Sequence, residues 1–139
     1  MAVRASAAIR NAALNGGSVA EIIDGDSGNG TIEYFTGTVH GTFGNPPGGT
    51  KIATVTLANP SFQAAASGSM TANTIQSDVS ADANGTIGCF VLKDSGGDIQ
   101  LDGSCGTTGG GADLQFDSVT ATTGDTIAMT SLIVSIQQT

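Results

Sequence analysis

Clusters of turn-forming residues interrupt the chain at short intervals from position 30 onwards, and this spacing restricts the possible fold more than any other feature. Gly, Asn, Asp and Pro gather at sites such as 45–49 and 107–111, where they end helices and strands alike. Between the clusters, apolar and polar residues alternate, as in 51–58, which is typical of strands. We predict strands at 31–37, 51–58, 69–76, 86–93, 98–102, 113–120 and 126–137.

Two of these segments differ from the others in apolar content or length. Residues 87–92 are apolar except for Gly88, which predicts a central strand buried on both faces. Residues 126–136 form the longest segment without a strong turn signal. About seven short antiparallel strands separated by turns predict a mainly β chain, as a β-sandwich or a jelly roll.

The first 30 residues follow a different pattern. Residues 3–15 are rich in Ala and contain neither Gly nor Pro, which predicts a short helix that ends at Gly16. Ser18 and Glu21 have the spacing of a capping box and predict a second helical turn. We therefore divide a single domain into an N-terminal helical segment and turn, 1–30, and a β-sandwich, 31–139.

Small side chains limit the core that this fold can build. Gly, Ala, Thr and Ser fill 70 of the 139 positions, whereas Ile, Leu, Val and Phe together fill 30. A chain with so few large apolar groups gains less hydrophobic free energy on folding than an average domain of its length. Burial between subunits would compensate, so we predict self-association, most simply as a homotrimer.

The net charge argues against a nucleic-acid partner, and the hydropathy argues against a membrane span. The net charge is −8, with four basic residues in the whole chain, whereas nucleic-acid binding needs Lys and Arg to replace phosphate counterions. No run of 18 apolar residues is present, so we predict no membrane span. The N-terminus lacks the apolar stretch of an export signal.

The residues that could carry catalysis or bind a metal are scattered. His40 is the single histidine and lies in a Gly- and Thr-rich segment without a nucleophile motif. Counted from Asp24, the loop 24–30 departs from a calcium-binding EF-hand at three positions, namely the ligands at positions 5 and 12 and the glycine at position 6. Its residues are also typical of Asx turns. Most other aspartates stand beside Gly, Ser or Asn, as in turns. We therefore predict no enzyme, no cofactor and no metal site.

Two cysteines lie on the predicted hairpin 86–93 and 98–104. A symmetric turn at 94–97 places Cys89 opposite Asp102 and leaves the two thiols on opposite faces, three positions apart. Disulfide geometry then forbids a bond between them, unless a bulge at Gly103 or Gly106 changes the parity. We predict that Cys89 is a buried thiol and that Cys105 is the more accessible one.

Four stretches carry a resemblance to a known family: 31–38, 68–82, 102–107 and 112–116, which read TIEYFTGT, GSMTANTIQSDVSAD, DGSCGT and ADLQF. Taken in this order, they resemble a widespread group of small tailed-bacteriophage proteins that are described as virion structural proteins or as hypothetical proteins. The resemblance spans residues 3–136. The chain departs from that pattern at its two cysteines and at Gly16-Gly17, which interrupts what is usually one longer helix.

The resemblance implies a structural protein of the virion, made in the bacterial host cytoplasm. The expected role is a capsid decoration or cement protein that binds the major capsid protein or another virion protein. The two N-terminal arginines and a Pro-Pro loop are the expected contact residues: Arg4, Arg10, Pro46 and Pro47. The alternatives are a tail, neck or head-completion component, and a receptor- or glycan-binding β-sandwich. The family supplies no catalytic residues, so none is transferred.

Overall fold

A computed structural model describes residues 3–25 and 28–136. Two helices lie near the N-terminus, α1 (Ala7–Asn15) and α2 (Val19–Asp24). Ser6 and Ser18 cap them, because each hydroxyl accepts a hydrogen bond from the backbone N–H three residues ahead. Gly16 ends α1 in the left-handed conformation that glycine adopts without strain. The predicted end of the first helix and the start of the second are therefore confirmed.

Ten strands account for most of the remaining regular structure. They are β1 (Arg4–Ala5), β2 (Thr31–Thr36), β3 (Lys51–Leu57), β4 (Ser69–Thr71), β5 (Ile75–Gln76), β6 (Gly85–Lys93), β7 (Ile99–Thr107), β8 (Leu114–Phe116), β9 (Thr120–Ala121) and β10 (Ile133–Ser135). The main sheet has the order β1-β7-β6-β2-β3-β5, with β8 and β9 paired to the ends of β7 and β6. β4 and β10 form a second, two-stranded sheet.

The chain is mainly β and its sheets are antiparallel, as predicted, apart from the parallel pairing of β8 with β7. The arrangement resembles a sandwich, because Met70 of β4 and Val134 of β10 pack into the same core as the main sheet. β6 is a central strand buried on both faces, which confirms the prediction for residues 87–92.

Four predicted strands differ from those observed. The expected strand 69–76 divides into β4, in the two-stranded sheet, and β5, at the edge of the main sheet. The expected strand 126–137 is reduced to β10, preceded by one isolated bridge at Ile127, and its last residue lies outside the described part of the chain. The expected strand 113–120 divides into β8 and β9, and 98–102 extends to Thr107. The stretch 126–132 is apolar at four of its seven positions, but outside the bridge of Ile127 with Asp78 it pairs with no strand, so it forms no ladder of hydrogen bonds before β10.

The hairpin of β6 and β7 has a different register from the predicted one. Cys89 pairs with Ser104, not with Asp102, because the turn closes between Asp94 and Asp98 and Gln100 is an extra residue on β7. The two thiols still lie on opposite faces, since their offset is again odd. Both cysteines are free and buried. Cys105 keeps 9% of its surface exposed and Cys89 none, which confirms the predicted order of accessibility.

The two faces of the main sheet are covered by different parts of the chain, which we call the core face and the loop face. The core face carries the larger cluster, which includes Ile32, Tyr34, Leu92 and Leu101, and packs against α1, α2 and the two-stranded sheet. The loop face carries a small cluster on which the segment 37–50 lies, through Val39 and Phe43. Its buried members are Phe35, Cys89, Val91 and Ile99.

Candidate functional site

An apolar groove opens on the core face between the helices and the two-stranded sheet. It has a volume of about 590 Å³. Four residues of the large core line it: Ile9 of α1, Phe62, Met70 of β4, and Leu101 of β7. These four side chains are themselves buried, so the floor of the groove is the outer layer of the core.

The walls of the groove come from small residues in short elements. Ala13, Gly17 and Ala20 form the helical wall, and Ala64 and Ala65 form part of the opposite one. Side chains of this size cannot reach across the space between the walls. The groove is thus a direct consequence of the composition, since half of the chain is Gly, Ala, Thr and Ser.

Exposed apolar side chains gather around this groove. Leu14 of α1 is 84% exposed, and Ile136, which lines the groove itself, is 68% exposed. Ile133 of β10 is 60% exposed, but it is the strand neighbour of the lining residue Val134, so it faces the other side of the small sheet and lines a separate pocket. Large apolar side chains that cluster beside an open groove mark a contact surface for another molecule.

The buried polar groups next to the groove are bonded to the backbone. Both carboxylate oxygens of Asp24, at the end of α2, accept from the N–H of Ser61 at 3.1 Å. This contact ties α2 to the chain segment that leads into the groove wall. Ser61 is completely buried, and its hydroxyl has no hydrogen-bond partner among the described residues.

On the loop face, a buried ion pair holds the covering segment in place. Arg4 and Asp102 are cross-strand neighbours in β1 and β7, and their side chains form a bidentate pair at 2.8 and 2.6 Å. The same guanidinium donates to the carbonyls of His40 and Gly41 and lies 5.7 Å from the centre of the Phe43 ring. Asp102 is completely buried, and this pairing raises the pKa of Arg4.

The other basic residues show how little positive charge the surface offers. Lys93 pairs with Glu33 at 2.8 Å, and Lys51 lies 3.6 Å from Asp82. Arg10 donates to the carbonyl of Ala5 and has no acidic partner among residues 3–25 and 28–136. Three of the four basic residues are thus used in ion pairs within the chain.

The structure places the four expected interface residues on two sides of the main sheet, with Arg10 alone on the side of the groove. Arg4 lies within the loop face, bound to Asp102, whereas Arg10 is exposed on α1. Pro46 is exposed and Pro47 is buried, both in the loop that covers the other side of the main sheet from the groove. Arg10 is the one member of this set on a helix that lines the groove.

The groups considered for catalysis take structural roles where they are described. His40 accepts from the N–H of Thr42 through Nδ1, in the loop that Arg4 binds. Asp94 and Asp78 accept from backbone N–H groups two residues ahead, as turn formers do. For Asp102 the prediction of a solvated turn is wrong, because this residue lies on β7 inside the sheet and is completely buried. Of the loop 24–30, Asp26 and Ser27 lie outside the described residues.

Both thiols are held in their protonated form. Burial, and secondarily the charge of Asp102, raises the pKa of Cys89 to about 11. Burial also raises the pKa of Cys105. Since the thiolate is the nucleophilic form of cysteine, neither thiol is activated for nucleophilic attack.

The single tyrosine lies inside the core. Tyr34 is completely buried, and its ring meets Phe116 edge-on, with the centroids 5.3 Å apart. Its hydroxyl has no hydrogen-bond partner among the described residues, and burial raises its pKa. A glycan platform at the surface therefore cannot use this residue.

In residues 3–25 and 28–136, no group of three or more His, Cys, Asp and Glu side chains is placed to hold a metal ion. Within the same residues, neither helix has the length and apolar content needed to cross a bilayer. No family model, no curated protein and no solved structure matches the chain.

Proposed function

We propose that this chain is a structural protein of a phage virion, a decoration or cement protein that binds the head lattice. The observation that carries the proposal is the apolar groove, which reaches down to the main core. A groove of this kind, lined by the exposed Ile136 and by Ala13, the neighbour of the exposed Leu14, favours contact with another protein. The family resemblance of residues 31–38 and 68–82 supports a virion as the place of that contact.

The distribution of charge supports the same proposal and refines it. A lattice contact through free arginines needs cations on the surface, and Arg4 is already bound to Asp102. With a net charge of −8, the chain is better suited to a lattice surface that is apolar or basic than to an acidic one. We therefore place the lattice contact at apolar surface, with Arg10 as a secondary contribution.

The alternative within the same virion is a tail, neck or head-completion component. The two roles differ in copy number, with hundreds of copies for a decoration protein and six or twelve for a neck or tail ring. A receptor- or glycan-binding module is less well supported, because the single tyrosine is buried and the groove contains Phe62 as its one aromatic residue among those described.

Stoichiometry in purified particles tests the proposal. Particles of the phage that encodes the chain are purified, and its copies are counted against the major capsid protein on a calibrated gel. Hundreds of copies support decoration, and six or twelve support the alternative. Particles that lack the chain altogether would show that the proposal is wrong.

A further inference from the structure

The helix beside the groove exposes one large apolar side chain. Ile9 is the one buried residue of α1. Its exposed positions are Ala7, Ala8, Arg10, Asn11, Ala13, Leu14 and Asn15. Leu14 is the large apolar residue among these small or polar ones, and it is 84% exposed.

The exposed side chain of Leu14 and the groove lie close together, where α1 forms one wall of the groove. Ala13 lines the groove, and Leu14 is the next residue of the same helix. The groove, at about 590 Å³, has room for more than one apolar side chain. A second copy of this chain presents the same hollow and the same projecting leucine, so the surface can be complementary to itself.

The charges at this end are complementary in the same way. Arg10 lies four residues before Leu14 and so shares its side of α1. Glu21 of α2 lines the groove and, among the described residues, has no basic partner. A protein of net charge −8 repels its own copies. At this one end, each copy offers both an unpaired cation and an unpaired anion.

We propose that a second copy of this chain covers the groove. Leu14 of each copy packs into the groove of the other, against Phe62 and Met70, and Arg10 of each copy pairs with Glu21 of the other. Because the leucine and the groove lie at the same end, a two-fold contact fills both grooves at once. The basic unit is then a dimer, in place of the trimer expected from composition. Because this contact uses the groove and Arg10, it competes with a lattice contact at the same place, and the lattice would then have to bind other exposed apolar surface.

Truncation of the leucine tests the contact in the purified full-length chain. We expect Leu14→Ala to raise the dimer dissociation constant about a hundredfold, because each of two leucines contributes about tenfold when its burial is lost. Sedimentation equilibrium measures the constant, and circular dichroism checks that the fold is kept. Val79→Ala is the matched control, since Val79 is 75% exposed and does not line the groove.

Charge exchange identifies the occupant as a second copy. Arg10→Glu and Glu21→Arg should each weaken the dimer, whereas the double variant should restore it, because the pair is re-formed with reversed signs. A wild-type chain that remains a monomer at high concentration would overturn the proposal and assign the groove to a different protein. A dimer that Leu14→Ala leaves unchanged would overturn it as well. A trimer that Leu14→Ala dissociates would support the contact and overturn its two-fold geometry.

Discussion

The two faces of the main sheet are covered in different ways, in a chain that has few large apolar side chains. On the loop face, six apolar residues are supplemented by two ion pairs, Arg4 with Asp102 and Lys93 with Glu33. On the core face, a larger apolar cluster is built without such pairs and stays open at the groove. Polar pairing closes one face from within the chain, whereas the other face is left for a partner to close.

This comparison separates stability from function in the molecule. The loop face is complete without a partner, because Arg4 connects β1, β7 and the covering loop through four hydrogen bonds. The core face contains the exposed leucine, the groove and the free charges. Substitutions on the loop face should therefore change the free energy of unfolding, and substitutions around the groove should change association.

The largest effect on stability is expected from Arg4→Ala. The substitution leaves Asp102 buried without a countercharge and releases the loop at His40 and Gly41, so we expect a loss of about 3–5 kcal/mol in the free energy of unfolding. Urea denaturation measures it. The double variant Arg4→Met, Asp102→Leu is the control, and it should recover a large part of the loss. A single variant as stable as wild type would show that the pair does not hold the loop face together.

The same residues show what the sequence alone could predict. Apolar content was sufficient to predict β6 as a central strand, and spacing was sufficient to predict the cap at Ser18. The burial of Asp102 could not be predicted, because its partner Arg4 lies 98 residues away and nothing local connects the two. The only local signal was the position of Asp102 directly after two apolar positions of a strand, Ile99 and Leu101.

Neither the register of the hairpin nor the position of the groove could be predicted from the sequence, for related reasons. The hairpin register depends on one extra residue, Gln100, whose bulge has no distinct sequence signal. The groove depends on a space between α1, α2 and the two-stranded sheet, that is, on how small residues from distant segments are placed. Composition predicted a thin core, but it could not show at which end that core would be open.

The thiols allow the two faces to be compared by pH. Cys89 lies on the loop face and Cys105 on the core face, and burial raises the pKa of both, that of Cys89 to about 11 from 9.0. Above pH 9 the unfolded chain loses these protons while the folded chain keeps them, so stability falls as pH rises. For Cys89 we expect a loss of about 2 kcal/mol between pH 9 and pH 11.

Urea denaturation at each pH measures this loss. Both thiols contribute to the slope between pH 9 and pH 11, so Cys89→Ala and Cys105→Ala should each remove about half of their joint decline there. Above pH 11 only Cys105→Ala should reduce the slope, because Cys89 is then ionised in the folded chain as well. The readout is the slope with pH, which is independent of any constant loss of packing in the variants. A decline that neither variant alters would assign the alkaline sensitivity to other groups.

A smaller effect is expected where the loop meets the central strand. The pairing of β2 with β6 shifts between Phe35 and Thr36, which leaves Gly88 as an extra residue directly under Gly37. A Cβ at position 88 would overlap the Gly37 carbonyl oxygen, so we expect Gly88→Ala to lower the free energy of unfolding by about 2 kcal/mol. Gly48→Ala, in the same loop with no atom near its added Cβ, is the control and should be neutral or slightly stabilising.

The smallest effect concerns the core face, at the buried hydroxyl of Tyr34. This group has no hydrogen-bond partner among the described residues, and an unsatisfied buried hydroxyl opposes folding. Tyr34→Phe keeps the edge-on contact with Phe116 and removes the oxygen, so we expect the free energy of unfolding to stay equal or rise by up to about 1 kcal/mol. Ser61→Ala removes a second such hydroxyl, keeps the backbone bond to Asp24, and should behave alike. If Tyr34→Phe instead lost more than about 1 kcal/mol, the hydroxyl would have a bonding partner, and the core face would not be the purely apolar counterpart of the loop face.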